Sequence, residues 1–183
     1  MVNEQQSKQE KLWYVMRAYK SERKAEELLS GEHGLEYFIP KKQVLRTCAG
    51  RKVLCMEPVI HSLLFVYAAQ QEIIEFKRFY YNSLQFVMSR DANMQRYLTV
   101  PTQQMSSFIQ VCRQREEKVI FHKPGEIDLT KGQKVRVHGG TFDNVEGYFL
   151  KLHQRRKRQL VVLIPEVLAA SAEVSTDYIQ VID

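Results

Sequence analysis

The chain has 183 residues, 44% of them hydrophobic, and a formal net charge of +6. That length holds one large domain or two small ones. No apolar run approaches the roughly 18 residues of a spanning helix, so a helical membrane protein is excluded and no membrane partner is expected. The positive balance points to polyanionic partners.

Charge is unevenly placed. Residues 1–118 hold 18 Lys and Arg against 13 Asp and Glu, and residues 119–183 hold 9 against 8. Met1–Lys11 is polar and lacks an apolar core, which predicts a disordered tail over 1–11 rather than a signal peptide. Cys48, Cys55 and Cys112 are odd in number and share no ligand-type spacing. They read as reduced, mostly buried thiols of a cytoplasmic protein.

Trp13–Tyr19 is rich in aromatic and branched residues, which favours a strand. Ser21 is placed to cap a helix by accepting an unpaired N–H of its first turn. Ala25, Leu28 and Leu29 give that helix an apolar stripe, and Gly31 and Gly34 end it. Between Tyr37 and Met56 the chain carries Lys41, Lys42, Arg46, Arg51 and Lys52 and no acidic residue. Ala49-Gly50 turns Lys41–Thr47 back into Arg51–Glu57, so these cations sit on a hairpin. A strand follows over Ser62–Ala68, then a helix from about Gln70 to Tyr80, a strand candidate at Leu84–Met88, and Arg96–Val100 leading to Pro101. Thr102 is a candidate cap for the next helix, where Met105, Phe108, Ile109 and Cys112 fall at i, i+3, i+4 and i+7. Val119–Thr130, with Pro124-Gly125, reads as a linker.

The most specific segment begins at Lys131. Val135 and Val137 alternate with polar residues, Gly139 and Gly140 allow a tight reversal, Phe142 and Val145 are apolar anchors, and Gly147 opens a strand over Tyr148–Leu152. Glycine is needed at such a reversal because it enters positive φ without a steric cost. Gly132, Val135, Val137, Gly140, Phe142 and Gly147 together resemble the KOW motif, which implies a small all-β SH3-like barrel. Phe149–Leu160 and Glu166–Glu173 also contain helix-favouring residues, which leaves a helical resting state open beside the barrel.

The Leu-Trp-Tyr-Val strand, capped helix, Phe-Ile-Pro segment, basic hairpin and Leu-Phe-Val strand, all upstream of a KOW motif, resemble the NusG family. The resemblance covers Leu12–Asp183. It implies an α+β chain with an NGN domain over 12–118 (an antiparallel sheet flanked by helices), a linker over 119–130 and a KOW domain over 131–183. The implied activity is transcription elongation or antitermination through binding, with no cofactor and no metal, by a monomer. Two departures stand out. Most members carry Pro-Gly-Tyr or Pro-Asn-Tyr ahead of the Phe-Val strand, where this chain has Ile60-His61-Ser62-Leu63. The Ile-Phe-Gly-Arg loop that meets Rho and a ribosomal protein in housekeeping members is here Ile164-Pro-Glu-Val-Leu-Ala-Ala-Ser171. These differences make the chain similar to the specialised UpxY-type factors of capsular polysaccharide operons. A housekeeping NusG, or a KOW-bearing RNA- or ribosome-associated protein, is the alternative.

Candidate contacts follow from the resemblance. Leu63, Phe65 and Tyr67 alternate on one face of their strand. They meet the clamp helices of RNA polymerase in this reading, with Met105 and Phe108 lining the same patch. Coverage of the sheet on both faces would explain the same pattern without a partner. For the exposed non-template DNA strand the candidates are Lys20, Lys24, Lys77 and Arg78, with Arg46, Arg51 and Lys52 reaching flanking phosphates. Phe76, Tyr80 and Tyr81 lie among these cations, as core residues or as stacking faces. Arg155–Arg158 is a solvated hairpin tip or an RNA contact, and the KOW domain is open to RNA or a further protein. No phosphate-binding glycine loop, His-Glu-x-x-His or Cys-x-x-Cys occurs, and the five histidines are scattered singly, so no catalytic residue is expected.

Overall fold

The computed structural model describes residues 10–19, 21–31, 34–80, 83–89, 96–114, 119–153 and 155–182. The elements in chain order are β1 (Lys11–Ala18), α1 (Glu22–Leu29), β2 (Glu36–Phe38), β3 (Lys41–Cys48), β4 (Arg51–Pro58), β5 (Leu63–Ala69), α2 (Gln70–Phe79), β6 (Leu84–Phe86), β7 (Thr99–Val100) and α3 (Thr102–Arg113). They continue with β8 (Ile120–His122), β9 (Gln133–Val137), β10 (Glu146–Leu150), β11 (Gln159–Ile164), β12 (Leu168–Glu173) and β13 (Ile179–Val181). The chain divides into two compact units. One combines residues up to Ile39 with Ile60–Val100, and the other combines Pro40–Val59 with the chain from Pro101 onward.

The first unit is an antiparallel sheet in the order β2-β5-β1-β6, with β7 also paired to β1. Strand alternation sends Tyr14, Met16, Leu64 and Val66 to one face. There they form a core with Ala25 and Leu29 of α1 and Ile73 and Phe76 of α2. Ser21 caps α1 as expected, its hydroxyl accepting the Lys24 N–H at 3.1 Å. At the start of α2, Glu72 accepts the Ala69 N–H at 2.8 Å. This supplies one half of a capping box, because an alanine cannot return the bond.

The second unit contains a six-stranded antiparallel sheet in the order β13-β9-β10-β11-β12-β8. Val135, Val137, Phe142 and Val145 are buried, as the motif predicts. Gly140 has φ of 68°. A Cβ on Gly147 would lie 2.5 Å from the Val161 carbonyl oxygen, so only glycine lets β10 approach β11 this closely. Strands rather than helices occupy this region, because the branched residues of β9 and β11 pack on a pleated surface.

The structure adds detail to the sequence reading at several places. Ile120–His122, inside the expected linker, pairs with Ala169–Ser171 of β12. The helix α3 groups with the second unit rather than with the NGN-like sheet. Its N-cap is Pro101, with no side-chain cap bond, and Thr102 is its first helical residue. The β3–β4 hairpin also groups with the second unit, as a two-stranded sheet of its own.

Candidate interaction surfaces

The expected apolar patch is distributed between the two units. Leu63, Phe65 and Tyr67 lie on β5 of the first, and Met105 and Phe108 lie on α3 of the second. Leu63 and Phe65 are 3% and 0% exposed, and Tyr67 is half-buried with its ring 5.3 Å from that of Trp13. Side chains on both faces of this strand are therefore largely withdrawn from solvent. Met105 and Phe108 are fully buried.

Polar side chains fasten α3 to the six-stranded sheet. Gln104 donates to the Leu163 carbonyl at 2.6 Å, and Ser107 accepts the Glu146 N–H at 3.1 Å. Gln110 donates to the carbonyls of Thr141 and Asp143, and Gln114 also reaches Thr141 at 3.2 Å. Side-chain amides that bond strand and loop carbonyls hold a helix where an apolar stripe alone would not fix its register. Burial pushes the Cys112 thiol up, yet the three cysteines are less buried than the sequence suggests, with Cys48 exposed and Cys55 and Cys112 half-buried.

The candidate cations occupy several settings. Lys20 lies outside the described residues. Lys24 is exposed on α1 and Arg78 on α2. Lys77 is half-buried, its Nζ 4.5 Å from the centroid of the Phe86 ring. Burial lowers its pKa, and the ring face stabilises the charge that remains. Phe86 in turn stacks on Tyr97 at 3.9 Å. Lys77 is therefore held as part of an aromatic cluster, and Arg78 is the freer of the pair.

On the hairpin, Cys48 pairs with Arg51, Thr47 with Lys52, Arg46 with Val53 and Leu45 with Leu54. Opposed residues share a face and successive residues alternate. Arg46 and Arg51 therefore share one face, and Lys52 stands on the other. Arg46 is engaged by Glu57, with Nη2 3.0 Å from Oε2. Arg51 is exposed beside the turn, where Ala49 and Gly50 have φ of 48° and 77°.

Of the aromatic candidates, Phe76 is buried in the core with Tyr80 packed 4.7 Å away, and Tyr81 lies outside the described residues. Phe79, not anticipated, is 84% exposed next to Arg78. The helical stripe Ile73, Phe76, Tyr80 follows i, i+3, i+7 and leaves Phe79 off the apolar face, a signal present in the sequence. A second unanticipated feature is the apolar face of the hairpin, where Leu45, Leu54 and Met56 are exposed.

In the loop after β10, Lys157 pairs with Glu173 and the Arg158 guanidinium lies 5.8 Å from the Phe149 ring centroid. A neighbouring cleft of about 490 Å³ mixes Lys131, Lys151 and Arg155 with Glu126 and Asp128. Its mixed charge does not form an anion site. Among the described residues no group of three or more His, Cys, Asp or Glu could hold a metal ion. No helix among them is long and apolar enough to cross a membrane.

An NGN-like α+β domain ahead of a β-rich KOW-like domain is the architecture of transcription elongation and antitermination factors, which act by binding. The family model described as "Transcription termination factor nusG" matches residues 11–109, more than half of the chain, and the chain belongs to the NusG family. No curated protein matches it. A solved structure described as "Domain interaction in Thermotoga maritima NusG" is similar at 20% identity and a TM-score of 0.45, covering 95% of this chain and 98% of that one.

Proposed function

We propose that this chain is an elongation factor of general NusG type, which holds transcribing RNA polymerase and the exposed non-template strand together and suppresses pausing. Membership of the family as a whole is the observation that carries this reading. The match distinguishes no subfamily. The specialised, UpxY-type reading rests on Ile60–Leu63 and Ile164–Ser171 departing from the usual pattern. A position in a polysaccharide gene cluster would favour it, and a place beside ribosomal-protein genes the general role.

In this reading Leu63, Phe65, Tyr67, Met105 and Phe108 meet the clamp helices. Leu63, Phe65, Met105 and Phe108 are buried in the structure, so their contact requires their cover to move aside first. Each such side chain contributes roughly 1.5–3 kcal/mol when buried, against an estimated cost of about 4–15 kcal/mol for association. Apolar anchors alone give weak binding, and phosphate contacts from Lys20, Lys24, Lys77, Arg78, Arg46 and Arg51 supply the second attachment, with Lys52 on the opposite face of the hairpin from Arg46 and Arg51. The KOW-like domain then recruits RNA or a further protein. The test is charge reversal of Lys77 and Arg78. Faster loss of the protein from a paused elongation complex is expected, and unchanged retention removes both residues from the interface.

A further inference from the structure

The hairpin is rich in cations, yet its most unusual property is greasy. Leu45, Leu54 and Met56 are 59%, 58% and 58% exposed. Leu45 is directly opposite Leu54, and Gln43 is opposite Met56, so all three apolar side chains stand on one face of the ribbon. Gln43, Thr47 and Lys52 complete that face, with Lys41 and Pro58 at its base, and no carboxylate shares it. The opposite face carries Lys42, Arg46 with its partner Glu57, and Arg51. Among the described residues, strands β3 and β4 pair only with each other. An isolated two-stranded ribbon is marginal in water, and adjacent large aliphatic side chains on its surface favour association.

We propose that this face docks on the transcribing polymerase, at an apolar protein surface rimmed by carboxylates. The inference rests on the reading given under Proposed function and adds a contact to it. Chemistry selects the occupant. Leucine and methionine offer no flat π-face for base stacking and no charge for phosphate, so nucleic acid belongs on the Arg51 face instead. A second copy of the chain would set like-charged faces against each other. It would also bury only a few hundred Å² through the ribbon, against roughly 800 Å² per partner in a stable interface. A patch of this size works as one element of a larger assembly, and its cationic rim fits an acidic border. The ribbon then lies between protein on one face and phosphates on the other.

The experiment compares the full chain with a Leu45→Thr/Leu54→Thr variant for affinity to a reconstituted elongation complex of purified core polymerase, and to the same nucleic-acid scaffold alone. Threonine keeps the strand propensity, and a thermal melt verifies that the variant is folded. The expected result is a loss of roughly tenfold or more on the complex, with salt dependence and scaffold affinity unchanged. Arg51→Glu should instead lower the salt dependence. Wild-type affinity of the threonine variant for the complex would overturn the inference, as would an equal loss on the bare scaffold. Failure of the wild-type chain itself to bind the complex would defeat the underlying reading, so the two failures are told apart.

Discussion

Glu22, in the first turn of α1, accepts the backbone N–H of Ser62, forty residues further along the chain. Ser62 has φ of 62°, a left-handed conformation that glycine and asparagine enter more easily than serine. The bond thus holds a strained turn immediately before β5 and ties the helix to the sheet. It also keeps the Glu22 carboxyl below the usual range. The Ser62 N–H is the main cause, and the nearby His61 ring reinforces it against the opposing effect of burial.

Replacing Glu22 with Gln is expected to cost about 1–2 kcal/mol, because a charge-assisted bond becomes a neutral one. Ser62→Gly should recover part of that loss by removing the strain. The sign of the pH effect follows from the lowered pKa. The contribution is complete above the ordinary value of 4.5 and is lost as pH falls through the lower folded value. Urea unfolding of the wild type and both variants at pH 7 and at pH 3.5 measures this. Equal stability of wild type and Glu22→Gln at pH 7 would contradict it.

The hairpin turn offers a second test. Cys48 and Arg51 are paired, so Ala49-Gly50 is a two-residue loop, and positive φ at both positions makes it a type I′ turn. Alanine is poorly suited to the first position, which favours asparagine. Ala49→Asn should stabilise the ribbon by about 0.5–1 kcal/mol. Amide hydrogen exchange across β3 and β4 should slow correspondingly, by about two- to fivefold. Exchange that is unchanged or faster would show that the turn is not strained by its alanine.

His122 Nε2 lies 2.8 Å from the hydroxyl of Ser171, which is fully buried. Burial lowers the pKa of His122, the Glu126 carboxylate opposes the shift, and Arg155 reinforces it. The folded form therefore resists protonation that the unfolded chain accepts near 6.5. Stability of the second unit should be complete above that value and decline as pH falls below it, until the folded ring titrates. Denaturant titrations between pH 7.5 and 5, on the wild type and on His122→Gln, separate this from carboxylate effects. The variant should show a flatter slope, and an identical slope would assign the pH dependence elsewhere.

Much of the fold is written in local signals. Ser21 and the Ala25–Leu29 stripe specify α1, the Ala49-Gly50 turn specifies the hairpin, and Gly140, Phe142 and Gly147 specify the β9–β10 reversal. Features that depend on distant partners were less legible. The glutamines of α3 look like ordinary surface residues until their amides find the carbonyls of Thr141, Asp143 and Leu163. Ile120–His122 is too short to stand out as a strand without β12 beside it. The cations of the hairpin form one patch in the linear sequence, yet strand parity separates Arg51 from Lys52. The same parity collects Leu45, Leu54 and Met56, which a window of mixed polarity conceals.

The central claim is that this chain acts by gripping an elongation complex and alters no bond. Its most direct test is the affinity of the purified full-length protein for a reconstituted complex of core polymerase, template, non-template strand and transcript. The account predicts saturable binding that weakens with salt and with duplex closure of the non-template strand, together with shorter pauses in single-round transcription. Absence of measurable binding at low salt, with pausing unchanged, would contradict it.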